Sequence, residues 1–162
     1  MAQLFSPTIE NAIRLSNYWH QGQTRHGSEF DYFSHLSSVA MLLARAQFDE
    51  EVIAAGYCHD LLEDTECPEE EIAEACGERV LRIVEAVSED SHFDELQEWE
   101  ARKKAYIETV RQGPWESKAV CVADKLHNLH DLLAHCMSMV LSSLTTFIVV
   151  QKKNSGSRIK CV

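Results

Sequence analysis

The segment 54–65 reads AAGYCHDLLEDT, and it concentrates four ionisable groups in six positions: His59, Asp60, Glu63 and Asp64. On a helix, Glu63 would lie one turn beyond His59, and Asp64 one turn beyond Asp60. Residues four apart share a helix face. The remaining surface of that helix would carry Ala54, Ala55, Leu61 and Leu62. An imidazole with three carboxylates beside it is a poor design for a packing helix. It is a sensible design for holding a metal ion with acidic groups at hand.

Two further residues join this set. His35 sits in FDYFSHLSSVA and Asp124 in VCVADKLHNL, each in an otherwise apolar helical run. A charge placed in a core must be paired or coordinated. His35, His59, Asp60 and Asp124 together offer two nitrogens and two oxygens, a donor set suited to Mn, Fe, Zn or Ni. With no cysteine among them, a purely structural zinc is the poorer match. Four protein ligands on an ion that prefers five or six would leave positions for water or substrate, as catalytic sites do. Asn128 follows Asp124 by one turn and could read a sugar hydroxyl, a base or a phosphate. Lys125 would point elsewhere and offset nearby negative charge. His127, Asp131 and His135 recur every four residues and read as a polar face, because such a stripe spans about 12 Å, too far for one ion.

These residues need long regular elements to position them, and helix signals dominate. Ser6-Pro7 predicts a capped helix to about Trp19, with Ile9, Ala12, Ile13 and Leu15 inward. Gln21–Phe30 reads as a loop. A second helix is expected from about Tyr32 to Ala46 and a third, capped by Asp49, from about Glu50 to Glu63. An acidic first turn after Pro68 opens a fourth, stopped at Gly77. Arg79–Val87, Asp94–Gln112 and Trp115 to about Cys136 complete the set. The expectation is an all-α bundle of six to eight helices, with residues 1–136 as the domain and 137–162 as a divergent, partly disordered C-terminal helix or tail.

The 162 residues suffice for one domain with a real core, and 45% hydrophobic with 25% charged residues is ordinary for a globular chain. A net charge of −11 argues against nucleic-acid binding. It also means that a phosphorylated substrate would need local cations or a metal. Six cysteines form no CxxC pair, and the first residues lack a secretion signal. Free thiols in a cytoplasmic protein are therefore expected, with no membrane span. Oligomeric state is left open, a homodimer among the alternatives.

Taken together, Tyr32-Phe33-Ser34-His35, the HDLLEDT segment, Trp99-Glu100-Ala101-Arg102-Lys103 and ADKLHNL resemble the HD superfamily of metal-dependent phosphohydrolases. Within it they are similar to the alarmone (p)ppGpp 3′-pyrophosphohydrolases of the Rel/Spo type and their small stand-alone relatives. The resemblance implies an HD-domain bundle and Mn²⁺ held by His35, His59, Asp60 and Asp124. It further implies that Glu63 and Asp64 position or activate water and that Asn128 contacts the nucleoside. The implied reaction takes ppGpp and water to GDP and pyrophosphate; alternatives are another nucleotide substrate or a catalytically inactive nucleotide-binding module. The family's Arg-Arg-Lys cluster before the first histidine is represented here only by Arg25, followed by His26 and Gly27.

Overall fold

The computed structural model describes residues 5–25, 29–89 and 99–154, with side chains described as far as 145. Eight helices run in chain order among these residues: α1 (Pro7–Trp19), α2 (Phe33–Arg45), α3 (Glu50–Cys58), α4 (Leu61–Asp64), α5 (Glu69–Cys76), α6 (Glu78–Glu85), α7 (Trp99–Gln112) and α8 (Trp115–Asn154). The one β feature described is an isolated bridge, Thr24 to Asp31, closing the loop after α1. The all-α expectation therefore holds.

Local chemistry explains most boundaries. Ser6 caps α1 by accepting from the Ile9 amide at 3.3 Å, and Asp49 caps α3 by accepting from the Val52 amide at 3.1 Å. Gly77 sits at φ 99°, a positive value that side chains rarely allow, and so can end α5 and start α6 at once.

Two expected helices differ. The third does not continue to Glu63: it stops at Cys58, turns through His59 and Asp60, and restarts as α4. The His59 ring supplies the reason, since its Nδ1 lies 2.9 Å from the Gly56 carbonyl. In an unbroken helix that carbonyl would take the Asp60 amide. The last helix does not end near Cys136 but runs to Asn154, because no Pro or Gly interrupts it before Gly156. Of the expected helix 94–112, positions 94–98 lie outside the described residues.

Residues 1–127 form one compact unit and 128–162 a second. The first unit is built around α3, which packs against α1, α2 and α6. Its core includes Ala12, Val39, Leu43, Val52, Ala55, Leu61, Ile72, Val80, Ile83, Val84 and Val120, all fully or nearly fully buried. α2 and α3 approach closely at Gly56, where an added Cβ would lie 3.2 Å from the Ala40 Cα and 2.6 Å from a Leu43 methyl. In the second unit, α8 exposes Leu129, Leu132, Leu133, Met137, Val140 and Leu144. No helix among the described residues is long and apolar enough to cross a membrane. Cys58, Cys67, Cys76, Cys121 and Cys136 are free thiols, the first three buried; Cys161 lies outside the described residues.

Candidate metal centre and catalytic cleft

Three helical elements converge on one buried point. α2 contributes His35, the turn after α3 contributes His59 and Asp60, and α8 contributes Asp124. His35, His59 and Asp124 are each buried, and each offers a donor atom within 4.8 Å of the others. The His35 Nε2 lies 3.2 Å from Asp124 Oδ1 and 3.6 Å from Asp60 Oδ2. The His59 Nε2 lies 3.1 Å from Asp60 Oδ2 and 3.8 Å from Asp124 Oδ1. All four residues anticipated as ligands are thus brought together, although they come from separated segments.

The donor set fits a divalent cation on physical grounds. With both imidazoles neutral, the two carboxylates place two negative charges in a nearly dry pocket, where uncompensated charge is costly. The Lys125 ammonium, 2.7 Å from Asp124 Oδ2, offsets one of them. The His59 Nε2 is buried with no well-directed hydrogen bond, whereas its Nδ1 is committed to the Gly56 carbonyl. A carbonyl can only accept, so Nδ1 carries the proton and the Nε2 lone pair faces Asp60 and Asp124.

Without a cation, protons take up the charge. Burial alone would lower the pKa of His59, but Asp60 and Asp124 outweigh it and push the value up to about 10. Burial likewise works to raise both aspartates, and their basic neighbours prevail: His35, His59 and Lys125 hold Asp124 well below the usual carboxylate range, and His59 lowers Asp60.

The acidic pair Glu63 and Asp64 stands at the exposed rim, on α4. The Tyr32 hydroxyl lies 2.7 Å from Asp60 Oδ2 and 2.8 Å from Asp64 Oδ2, so one phenol bridges the inner and outer carboxylates. Burial and those two acids keep that phenol protonated to well above its ordinary range. Glu63 accepts from the Glu89 amide at 3.2 Å. Desolvation by the surrounding chain, with Glu89, Asp60 and Asp64 nearby, raises its pKa. Beside the pair opens a cleft of about 460 Å³ lined by Trp19, Gln23, Glu63, Asp64, Thr65 and Glu66.

Other anticipated residues fall as follows. The Arg25 guanidinium lies 5.7 Å from the centre of the Tyr32 ring, at the same rim. Lys125 does not point elsewhere: it pairs directly with Asp124 and lies over the Tyr106 ring at 5.4 Å. Asn128 is half-buried on α8 as the first residue of the second unit. His127 is no solvated polar face, because its Nδ1 lies 2.8 Å from the Nδ1 of His35. Tyr32 and His20 stand beside the site without any spacing to the ligand residues that marks them in the sequence. His20 is buried and stacks on Tyr32 with ring centres 4.9 Å apart. Arg102 and Lys103 both pair with Glu89, the residue whose amide holds Glu63. Their place in the segment Trp99-Glu100-Ala101-Arg102-Lys103, which carries part of the family resemblance, was the signal in the sequence.

A family model described as an HD domain matches residues 12–143. The chain belongs to the HD-domain family. A Drosophila melanogaster guanosine-3′,5′-bis(diphosphate) 3′-pyrophosphohydrolase, MESH1, is 29% identical over 135 residues, which is 82% of this chain and 73% of the fly protein. A Haemophilus influenzae protein of the same enzymatic name is 33% identical over 119 residues, 70% of this chain but only 17% of that longer protein. A solved structure described as a metazoan ortholog of SpoT that hydrolyzes ppGpp superposes with a TM-score of 0.73 at 28% identity, covering 82% of this chain and 74% of the other. A crystal structure from Listeria monocytogenes is 43% identical, with a TM-score of 0.57 and 64% of each chain covered.

Proposed function

We propose that this HD-domain protein hydrolyses a guanosine 3′,5′-bis(diphosphate), removing pyrophosphate from the 3′ position. The observation that carries the reading is the buried convergence of His35, His59 and Asp124 within 4.8 Å, with Asp60 against both imidazoles, in a chain similar to ppGpp hydrolases. In this reading those four residues hold a divalent cation, with Mn²⁺ favoured. A cation so bound would supply Lewis-acid neutralisation of phosphate oxygens and make a nearby water more acidic.

The chain's own residues then have distinct tasks. Glu63 and Asp64 line the cleft and take the proton of the attacking water. Tyr32 fixes Asp64 relative to Asp60, so the proton acceptor keeps its place beside the cation site. Lys125 and Arg25 bring positive charge to a protein of net charge −11, and Asn128 contacts the nucleoside. Water oxygen bonds to phosphorus, the bond from phosphorus to the 3′ oxygen breaks, and that oxygen leaves protonated on the sugar. The products are GDP and pyrophosphate.

A second reading, hydrolysis of a different nucleotide, draws support from the single Arg25 where relatives with this activity are expected to carry a basic cluster. Incubation of Mn²⁺-loaded protein with a nucleotide panel, with products separated by chromatography, decides between them. GDP and pyrophosphate from ppGpp are expected. Turnover of another nucleotide, with ppGpp untouched, would favour the second reading, and turnover of none would refute both.

A further inference from the structure

The two buried imidazoles of the site are oriented by different devices. His59 is held through Nδ1 by a main-chain carbonyl, a partner that no substitution removes. His35 is held through Nδ1 by another side chain, the ring of His127, 2.8 Å away and 92 residues distant in sequence. The two rings are tilted by 50° with centres 4.9 Å apart, so the contact is edge-on through nitrogen and not a stack. His35 is 1% exposed, so bulk water does not reach it.

We propose that His127 is a positioning residue that holds His35 in the tautomer and orientation required for metal binding through Nε2. A neutral imidazole has one N–H. The His35 Nε2 faces Asp124 and Asp60 and must present a lone pair to a cation, so its proton belongs on Nδ1. That N–H donates to His127, whose Nδ1 accepts and whose own proton therefore sits on Nε2. The arrangement is self-consistent in only this one assignment when His35 is a ligand. His127 follows Asp124 by three residues on α8, so a single helical turn both supplies one donor to the site and orients another on α2. Partners of this kind change metal affinity by roughly 10–100-fold when removed.

The inference rests on the metal reading above, and its test separates the two. Mn²⁺ affinity is measured by isothermal titration calorimetry on the full chain for the parent, His127→Phe, His127→Leu and His127→Asn. Phe keeps a ring without an acceptor, and Leu removes the acceptor by a second route should the Phe variant fold poorly. Asn places its Oδ1 near the position of Nδ1 and restores an acceptor. The expected result is a Kd raised about 10-fold or more in the Phe and Leu variants and returned to within a few-fold of the parent in the Asn variant. In parallel, ¹⁵N NMR of the imidazoles should show the His35 proton on Nδ1 in the parent and a mixture of tautomers in His127→Phe. Equal Kd values in parent, Phe and Leu variants would overturn the inference while leaving the metal site standing. An Asn variant as weak as the Phe variant would do so too, because only packing would then matter. A parent that binds no Mn²⁺ would overturn the metal reading itself.

Discussion

Gly56 offers the sharpest test of how the helices hold the site, because it is far from the reacting groups in chemistry but adjacent in geometry. It packs α3 onto α2, three residues before His59, opposite the helix that carries His35. In Gly56→Ala the new methyl would stand 2.6 Å from a Leu43 methyl and 3.2 Å from the Ala40 Cα, where ordinary contacts are 3.4 Å or more. The Leu43 end can rotate away, at the expense of its own packing in the core. The Ala40 backbone cannot, so the helices must part by a few tenths of an ångström. Overpacking of this kind costs about 1–3 kcal/mol, and the better helix propensity of alanine returns about 1 kcal/mol. The net loss of roughly 0–2 kcal/mol corresponds to a Tm lower by up to about 8 °C for a chain of this size. The greater effect should fall on the metal, because coordination distances tolerate only about ±0.2 Å. Parting α2 from α3 separates His35 from His59, now 5.2 Å apart between ring centres. The prediction is therefore a modest thermal shift in metal-free protein and a clear loss of Mn²⁺ affinity, measured by differential scanning calorimetry and titration calorimetry. The double variant Gly56→Ala, Leu43→Ala should not regain the affinity, since the Ala40 contact persists. Parent-like Mn²⁺ binding by Gly56→Ala would refute the argument that this helix contact sets the ligand spacing.

Three further outcomes are expected. Asp124→Asn removes a carboxylate shared by both imidazoles and Lys125, so it should abolish Mn²⁺ uptake and destabilise the metal-free protein by roughly 3–5 kcal/mol; a full complement of metal by elemental analysis would contradict it. Tyr32→Phe deletes the hydroxyl between Asp60 and Asp64, a bond to charged groups worth about 1.5–3 kcal/mol, and should lower kcat about 10-fold or more while KM changes little, whereas an unchanged kcat would show that Asp64 needs no such support. For metal-free protein, His59 is raised from 6.5 to about 10, so its contribution to stability is whole below about pH 6.5 and disappears as pH climbs through 10. The Tm difference between the chelator-treated parent and His59→Gln should shrink over that interval, while Mn²⁺ affinity rises with pH as the competing proton leaves; a Tm difference that grows instead would be incompatible with this proton inventory.

Local sequence signals determined a great deal. Serine before proline at 6–7, Asp49 ahead of an acidic turn, and Gly77 after an apolar stripe each act on backbone groups within four residues, and each marks the boundary it suggests. The ligand candidates were likewise legible, because His and Asp within apolar helical runs are costly unless they bind something. Tertiary structure decided the rest. The helix break at His59 depends on a side chain competing for the Gly56 carbonyl, a preference that periodicity does not encode. Lys125 lies against Asp124 and Tyr106, and Tyr32 reaches Asp60 and Asp64 across 28 and 32 residues of chain. His127 looked like one member of a polar stripe until α8 was laid against α2. Residue spacing along one helix shows which groups share a face; which neighbour that face meets depends on how separate helices pack, and that packing buries as much apolar area as it can while leaving little uncompensated charge inside.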